Sequence, residues 1–492
     1  MKKIIIVGGG TAGWMAANIL AYSFKKSNIE ICLIESPEIS TVGVGEGSTP
    51  ALRNFFDLLN IKESDWMPAC NATFKTGIRF NDWSTVKDYE SYFHSFPSEL
   101  DFHTQNSFFY NARLRASGIN VNANPSDFYL SSSISQLRKH PIPKENFPFE
   151  IDYAYHFDSS LLGKYLQKVA KDLGVKHVVA HVENIKITRE DRVSSVELKN
   201  GEVVKGDFFI DCTGFKGVII NQFPDTEFVS YGSQLLNDSA VTISTPLTNR
   251  KISAATESTA LDCGWTWKIP LTNRYGNGYV YSSKHISKED AEKELKTHLN
   301  ILDDNIAVRH LSFKLGRNNK HWNRNCLAVG LSQGFIEPLE ATALLLIQQT
   351  VGKFVDYFEK GKFTNKYQTD FNNSVNSDFD GIKEYVLLHY TLNTRRDTPY
   401  WIENSKNFSN MDARILKLLH GWRNGADISQ LIVKLGLSEY YPIPSWYAIL
   451  SGNGYFPQDL NLPNRNHTND NFKDAKLFIQ RCTMNYIDYE VK

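Results

Sequence analysis

The chain has 492 residues, of which 41% are hydrophobic and 22% charged, which is the composition of a globular protein with ample length for a buried core. Lys plus Arg and Asp plus Glu both total 54, so the formal charge is zero and no charged surface points to nucleic acid or an anionic membrane as partner. The six cysteines form no metal-ligand spacing, which predicts a reducing compartment and no bound metal. Because we find neither a signal peptide nor an apolar run that spans a bilayer, we expect a cytoplasmic protein.

The N-terminal segment predicts a βαβ unit. Residues 4–7 are a short β-branched run typical of a buried parallel strand, residues 14–24 have a helical pattern, and residues 31–34 form a second strand that ends at Glu35. The sequence Gly8-x-Gly10-x-x-Gly13 lies between the first strand and the helix, which is the proper context of a dinucleotide fingerprint.

Each glycine of this fingerprint has a physical role. Gly8 allows the tight turn, Gly10 lets the backbone approach a pyrophosphate, and Gly13 lets helix and strand pack closely. The pyrophosphate is then expected at the helix N-terminus, beside the N–H groups of Thr11 and Ala12. Glu35 is placed to accept a hydrogen bond from a ribose hydroxyl.

Two later strands also end in glycine turns. Residues 208–210 lead through Asp211-Cys212-Thr213 to Gly214, and residues 326–329 lead to Gly330. Three such turns fit the spread FAD site of flavin monooxygenase-like folds. Since no second dinucleotide fingerprint occurs for NAD(P)H, we expect the flavin to be reduced elsewhere.

We therefore predict an α/β fold, elaborated with α+β elements around an FAD-binding Rossmann-like core of the flavin monooxygenase type. The core is interleaved over residues 1–375, with an inserted substrate region of strands at about 75–155 and 228–285. Residues 376–492 are expected to be mostly helical and to cover the active site. The helix after the last core strand is predicted over residues 341–358.

Five segments, spread in order over most of the chain, resemble motifs of the flavin-dependent tryptophan halogenase family. They are VGGGTAGWMAA at 7–17, VGVGEGSTP at 42–50, ATFKTGIRF at 72–80, WTWKIP at 265–270 and GFIEPLE at 334–340. Each motif is moderately specific alone, and their joint order makes chance resemblance very improbable.

The resemblance implies a chemistry. Reduced FAD and O2 form a C4a-hydroperoxide that oxidises halide to hypohalous acid, which Lys75 directs onto an electron-rich aromatic of the indole or phenol type. Lys75 acts by a hydrogen bond or as a haloamine, and both routes stay open. Glu340 pairs with Lys75 or accepts the proton lost from the ring. A separate flavin reductase supplies FADH2.

The resemblance also implies the remaining site residues. They are flavin contacts at Val44, Gly45 and Glu46, halide contacts at the N–H groups of Thr342 and Ala343, and substrate or partition residues at His94, Trp265, Trp267, Ile269 and Pro270. Purely structural alternatives stay open for some of these residues. Glu46 would then cap a turn, and His94 would be a structural histidine. Trp265 and Trp267 would be core residues, a role that is compatible with a partition.

The chain departs from the family in its glutamate loop, which reads Glu340-Ala341-Thr342-Ala343 where the family usually has Glu-Ser-Thr-Gly. The loop lacks a serine that would relay between glutamate and lysine, and Ala343 adds a methyl group beside the halide. Bromide or iodide is therefore plausible beside chloride. Residues 95–150 match no tryptophan-specific pattern, which argues against free tryptophan as substrate.

Two other functions stay open at this point. One is an FAD-dependent aromatic monooxygenase without halide use, and the other is a non-catalytic flavin-binding protein. Intact Lys75 and Glu340 argue against the second. The aromatic-rich helical C-terminal region offers a surface for a homo-oligomer.

Overall fold

The computed structural model describes residues 2–39, 45–303, 305–457 and 470–491. The described strands are β1 Lys3–Val7, β2 Glu30–Glu35, β3 Glu46–Gly47, β4 Thr73–Lys75, β5 Gly77–Asn81, β6 Ser91–Ser95, β7 Ala154–Phe157, β8 Lys176–Val179, β9 Val182–Ile187, β10 Val193–Leu198, β11 Val203–Lys205, β12 Phe208–Asp211, β13 Phe228–Ser230, β14 Ser239–Pro246, β15 Thr256–Leu261, β16 Gly264–Pro270, β17 Arg274–Tyr281, β18 Val308–Ser312, β19 Gly316–Asn318, β20 Trp322–Asn323, β21 Cys326–Ala328 and β22 Gly334–Phe335. The described α-helices are α1 Thr11–Ser23, α2 Ala51–Leu58, α3 Glu63–Ala69, α4 Phe102–Ala116, α5 Leu130–Gln136, α6 Ser159–Asp172, α7 Lys288–His298, α8 Ala343–Lys360, α9 Gln368–Leu392, α10 Pro399–Ser405, α11 Ala413–Arg423, α12 Ile428–Lys434, α13 Ile443–Gly452 and α14 Asp470–Thr483.

The chain divides into two compact units, each assembled from three separate segments. The first unit contains Met1–Ala72, Phe157–Gly232 and Phe313–Asp380, and the second contains Thr73–His156, Ser233–Ser312 and Gly381–Lys492. The predicted α/β class is confirmed. None of the helices in the described ranges is long and apolar enough to cross a membrane.

The first unit is built on a six-stranded sheet in the order β20-β21-β12-β1-β2-β8. All neighbouring strands are parallel except β20, which runs antiparallel to β21. The strand β1 is central because its apolar run is buried on both faces, the pattern of a parallel strand covered on both sides. One face packs on the antiparallel strands β9, β10 and β11, and this interface forms a buried hydrophobic cluster of the unit.

Helix α1 contacts helices α6 and α8. The buried amide of Asn18 on α1 donates to the carbonyl of Leu166 on α6 at 2.9 Å. Helix α6 begins after Asp158, whose carboxylate accepts from the N–H groups of Ser160 and Leu161 and so caps the helix. These contacts fix the N-terminus of α1 above the carboxyl edge of the sheet.

The second unit contains a seven-stranded sheet in the order β18-β14-β17-β16-β15-β5-β6. The sheet is antiparallel except for the parallel pair β15–β5. Helix α7 packs on β14 and β17, where it completes an apolar cluster around Val241, Tyr279 and Leu295. The short strand β4 pairs antiparallel with β7.

Two local expectations differ from the structure. Helix α8 begins at Ala343 rather than at 341, because Ala341 adopts the left-handed conformation with φ +55° and ends the preceding 3-10 turn. Helix α4 lies within residues 75–155, where the sequence predicts an inserted region of strands. Its buried face includes Thr104 and Asn111 while Phe102 is exposed, so the apolar pattern that reveals most helices is missing.

Candidate functional site

The glycine loop after β1 is shaped so that two of its positions tolerate only glycine. Gly8 has φ +114°, and a Cβ there would lie 2.2 Å from the carbonyl oxygen of Cys212. A Cβ at Gly13 would lie 1.9 Å from the carbonyl oxygen of Gly8. A Cβ at Gly10 would meet no described atom within 4 Å, so this position faces open space on the side where a pyrophosphate would approach.

The N-terminus of α1 is suited to an anion. The capping residue Gly10 has no side chain with which to accept from the first N–H groups, and no carboxylate occurs in the first turn. The hydroxyl of Thr11 donates to the carbonyl of Ser159 at 3.3 Å and therefore points toward α6. The N–H groups of Thr11 and Ala12 lie at the positive end of the helix dipole.

Glu35 ends β2, the strand beside β1. Its carboxylate accepts from Nε2 of His177 at 3.0 Å and from the amide of Gln167 at 3.3 Å. The ring of His177 lies edge-on against the indole of Trp14 at 5.0 Å between centroids. The carboxylate is thus held in place at the strand end, where the fingerprint requires an acceptor for ribose hydroxyls.

Gly214 follows β12, the strand beside β1 in the sheet, and Gly330 follows β21, the strand beside β12. Gly214 has a φ of +70° and Gly330 a φ of +72°. The turn at Gly214 is held by the buried carboxylate of Asp211, which accepts from the N–H and the hydroxyl of Thr213 at 3.0 and 2.6 Å. A Cβ at Gly330 would lie 2.7 Å from the Cβ of Ala12. The structure therefore brings the three glycine turns to one edge of the sheet, and their open cradle fits FAD.

The segment predicted to strap the flavin is described only in part. Val44 lies outside the described residues. Gly45 is buried with φ +93°, and Glu46 follows as the first residue of β3. Burial raises the pKa of the Glu46 carboxyl to about 7.

The glutamate loop precedes α8 in the same unit. Glu340 is buried at the end of a 3-10 turn over Pro338–Glu340, and the buried Thr342 precedes Ala343, the first residue of α8. The hydroxyl of Thr342 does not cap the helix, and its first turn carries no acidic side chain. The N-terminal N–H groups therefore have the orientation and dipole that favour a small anion.

Lys75 lies in the second unit as the last residue of β4. Its side chain is only 1% exposed, and its Nζ lies 5.4 Å from the ring centroid of Phe96. In the register of β4 and β7, Lys75 lies opposite Ala154. His156, on β7, has a pKa held well below its ordinary value by burial and then by the charge of Lys75, so its ring is neutral.

The WTWKIP segment forms β16. Trp265 and Trp267 are two residues apart and therefore lie on the same face of the strand. Both are buried, and their ring centroids are 6.1 Å apart. Ile269 shares this face and is buried. The carbonyl of Pro270 accepts a 2.6 Å hydrogen bond from the hydroxyl of Thr73, which ties the end of β16 to the strand that carries Lys75.

His94 lies on β6, buried and stacked on Tyr385 with 6.1 Å between ring centroids. Immediately after β6, the N–H of Phe96 donates to the carbonyl of Thr76 at 3.1 Å. The second unit thus brings the strands of Lys75, His94 and Pro270 together. Sequence patterns did not single out Thr73, because its hydrogen bond joins residues 197 positions apart.

The first unit defines a flavin-binding Rossmann-like core. The family model for tryptophan halogenase matches residues 3–466. The chain is 36% identical over 482 residues to the tryptophan 6-halogenase of Streptomyces toxytricini, covering 92% of this chain and 89% of that protein. It is 33% identical over 426 residues to the tryptophan 7-halogenase of Lentzea aerocolonigenes, covering 82% and 79%.

A solved halogenase structure has a similar fold over nearly the whole chain. A tryptophan C-6 flavin-dependent halogenase (chlorinase) from taromycin biosynthesis matches with a TM-score of 0.83 at 29% identity, covering 99% of this chain and 98% of that one. The chain belongs to the tryptophan halogenase family. It is a flavin-dependent halogenase of aromatic substrates that uses FAD, O2 and halide, as the sequence predicted.

Proposed function

We propose that Lys75 is the catalytic residue that delivers the halogen to the aromatic ring. The observation that carries this proposal is an ammonium group on a three-residue strand with 1% of its surface exposed. Removing the charge of a lysine from water is costly, so a buried lysine in a segment that resembles the family's active-site strand indicates a functional position. When bound, reduced FAD and O2 supply the oxidising power that converts halide to hypohalous acid.

The buried ammonium of Lys75 donates a hydrogen bond to the oxygen of hypohalous acid and so makes the halogen more electrophilic. Alternatively, its neutral amine takes the halogen from hypohalous acid to form a haloamine, and the hydroxyl group leaves as water with one amine proton. A low-dielectric surrounding strengthens either interaction relative to water. Burial also excludes water that would compete for the reagent. The ring of Phe96 lies beside Nζ and contributes one apolar wall to this space.

For Glu340 we propose the role of proton acceptor. Electrophilic substitution exchanges a ring hydrogen for halogen, and the proton must leave for aromaticity to return. The buried carboxylate of Glu340 is a general base of the appropriate type. Trp265, Trp267 and Ile269 would then form the apolar partition that keeps substrate from the flavin, with His94 and Pro270 at the substrate side.

The halide is proposed to bind at the N–H groups of Thr342 and Ala343. The loss of a serine hydroxyl at Ala341 and the added methyl group of Ala343 change the surroundings of this anion, and we propose that bromide or iodide is accepted beside chloride. A competition assay with equimolar halides measures this directly. We expect Ala343→Gly to shift the product ratio toward chloride, and a strong chloride preference of the unchanged protein would contradict the proposal.

For the substrate we propose an electron-rich indole or phenol other than free tryptophan. The relatives named above act on tryptophan, which supports an indole-like ring, while residues 95–150 depart from tryptophan-specific patterns. Mass spectrometry of an aromatic panel with each halide identifies the class. We also propose a separate flavin reductase as partner, a cytoplasmic location and a homo-oligomer formed through the helical region of residues 376–492.

Replacement of Lys75 tests the proposed catalytic role. In Lys75→Met we expect halogenated product to fall by at least about 100-fold, while oxidation of supplied FADH2 continues. Lys268→Met is the matched control, because Lys268 lies on β16 within the same unit and is partly exposed. Unchanged halogenated product from Lys75→Met, with folding confirmed by circular dichroism, would show that Lys75 does not deliver the halogen and would overturn the proposal.

A further inference from the structure

We propose that Tyr489 is a positioning residue that holds the Lys75 strand in its reactive place, an inference that rests on the proposed role of Lys75. Tyr489 belongs to residues 485–491, which we call the C-terminal tail. This tail lies beyond residues 3–466, the range matched by the family model.

The tail is fixed on both sides by backbone hydrogen bonds. On one side the N–H of His140 donates to the carbonyl of Ile487 at 2.8 Å, and the N–H of Tyr489 donates to the carbonyl of Arg138 at 2.9 Å. On the other side the N–H of Ile252 donates to the carbonyl of Tyr489 at 3.0 Å. The tail therefore forms isolated β-bridges with two segments of the second unit.

Ion pairs reinforce this placement. The carboxylate of Asp488 lies 3.0 Å from Nζ of Lys139 and 3.0 Å from Nζ of Lys251, so one acidic group joins the two flanking segments. Each pair is partly exposed and contributes modestly by itself. Together with the backbone bonds, the ion pairs fix where the next side chain, Tyr489, enters the interior.

The side chain of Tyr489 reaches the strand of Lys75. The residue is 5% exposed, and its hydroxyl accepts a 2.8 Å hydrogen bond from the backbone N–H of Phe74, the residue before Lys75. Its ring lies edge-on to His140, with 4.8 Å between centroids. The phenol thus serves as a rigid spacer between the tail and β4.

This bond supplies one of two anchors that flank Lys75. Strand β4 has only three residues, and β7 pairs with it along one edge. Two hydrogen bonds add to the pairing with β7. The N–H of Phe74 donates to the hydroxyl of Tyr489, and the N–H of Thr76 donates to the carbonyl of Ala254 at 2.7 Å. Ala254 lies two residues after Ile252, the partner of the tail. Through Tyr489 the tail holds the backbone before the lysine, and at Ile252 it bonds to the segment that holds the backbone after the lysine.

A reacting group must be placed within a fraction of an ångström, and a shift of about 1 Å reduces rates about 100-fold. A buried N–H that loses its acceptor drives the backbone to rearrange, because an unmade hydrogen bond is costly in the interior. Loss of the Tyr489 hydroxyl should therefore displace Lys75 without touching the flavin-binding unit.

The test compares Tyr489→Phe with Tyr486→Phe. Both remove one hydroxyl from a buried tyrosine of the tail, but that of Tyr486 has no hydrogen-bond partner among the described residues. We expect Tyr489→Phe to lower the halogenated product per FADH2 oxidised by about 10- to 100-fold, with flavin affinity unchanged. Hydrogen exchange of the Phe74 amide should accelerate in that variant alone, and Tyr486→Phe should behave as the parent protein.

The outcomes separate this inference from the role of Lys75. Product retained by Lys75→Met would overturn the proposed function. Product lost in Lys75→Met but retained in Tyr489→Phe would overturn the positioning role alone. Reduced thermal stability of Tyr489→Phe, with unchanged product per FADH2 oxidised, would show a structural role only and also overturn it.

A second variant covers the case in which Tyr489→Phe does not fold. Asp488→Asn keeps the tyrosine but weakens both ion pairs of the tail, at a half-exposed carboxylate. We expect a smaller drop in product per FADH2 oxidised, with faster exchange at Phe74. Parent-like values for both quantities would contradict the inference.

Discussion

Glu46 is a carboxyl group whose surroundings oppose its ionisation. It begins β3 after the buried Gly45, and burial raises its pKa to about 7 against an ordinary value of 4.5. The nearby carboxylate of Asp158 acts in the same direction. Near neutral pH the side chain therefore exists as a mixture of acid and carboxylate, so its contribution to stability changes with pH in this range.

Because the folded state binds the proton more tightly than the unfolded state, the stability that Glu46 contributes is fully present below about pH 4.5 and is lost as the pH rises to about 7. Glu46→Gln removes this titration. The quantity compared is the free energy of unfolding of the variant minus that of the parent. We expect this difference to be about 1–3 kcal/mol larger at pH 8 than at pH 4.5. Urea unfolding at both values measures this difference, and a pH-independent difference would contradict it.

At the scale of elements, strands β16 and β17 are matched to one large ring. Gly278 on β17 lies opposite Trp267 on β16, and a Cβ at Gly278 would lie 2.1 Å from the indole of Trp267. The glycine leaves the space that the ring fills. The position of the proposed partition is therefore set by a residue that carries no side chain.

Gly278→Ala should force the Trp267 ring out of its place. We expect a loss of about 1–3 kcal/mol in the free energy of unfolding, the usual cost of overpacking, together with lower product per FADH2 oxidised. The control is Gly352→Ala within α8, where the added methyl meets no described atom within 4 Å and should stabilise by about 0.5–1 kcal/mol. Equal stability of the two variants would show that Trp267 moves freely.

Local patterns predicted those elements whose residues are constrained locally. The strand at β1 followed from its unbroken β-branched run, and the turn at Gly8 from the fingerprint. The start of α8 could not be predicted, because the left-handed conformation of Ala341 has no local cause in an alanine. The part played by Tyr489 was equally inaccessible, since its hydroxyl bonds a backbone group 415 positions away.

At the scale of the whole molecule, the chain carries one dinucleotide fingerprint, at Gly8, Gly10 and Gly13. The resemblance and the interrupted order of the core strands predicted the fold class. The grouping of three separate segments into each unit could not be predicted, because it depends on contacts between remote parts of the chain.

A single fingerprint has a consequence for electron supply. We expect NADH alone to leave the visible absorbance of added FAD unchanged under anaerobic conditions, and addition of a generic flavin reductase to bleach it. Chemically reduced FAD should then support halogenation in the presence of O2 and halide without any reductase. Rapid bleaching by NADH with the purified protein alone would contradict a separate reductase.

The central position of β1 also bears on how the protein is synthesised. Its neighbours are β2, which follows at once, and β12 at Phe208–Asp211, while β21 completes the parallel row only at Cys326–Ala328. At translation rates of 5–20 residues per second, roughly 15–65 s separate the emergence of β1 and β21 from the ribosome. During that interval the nascent chain presents apolar strand edges without their final partners, so molecular chaperones would be expected to protect it until the last core strand arrives.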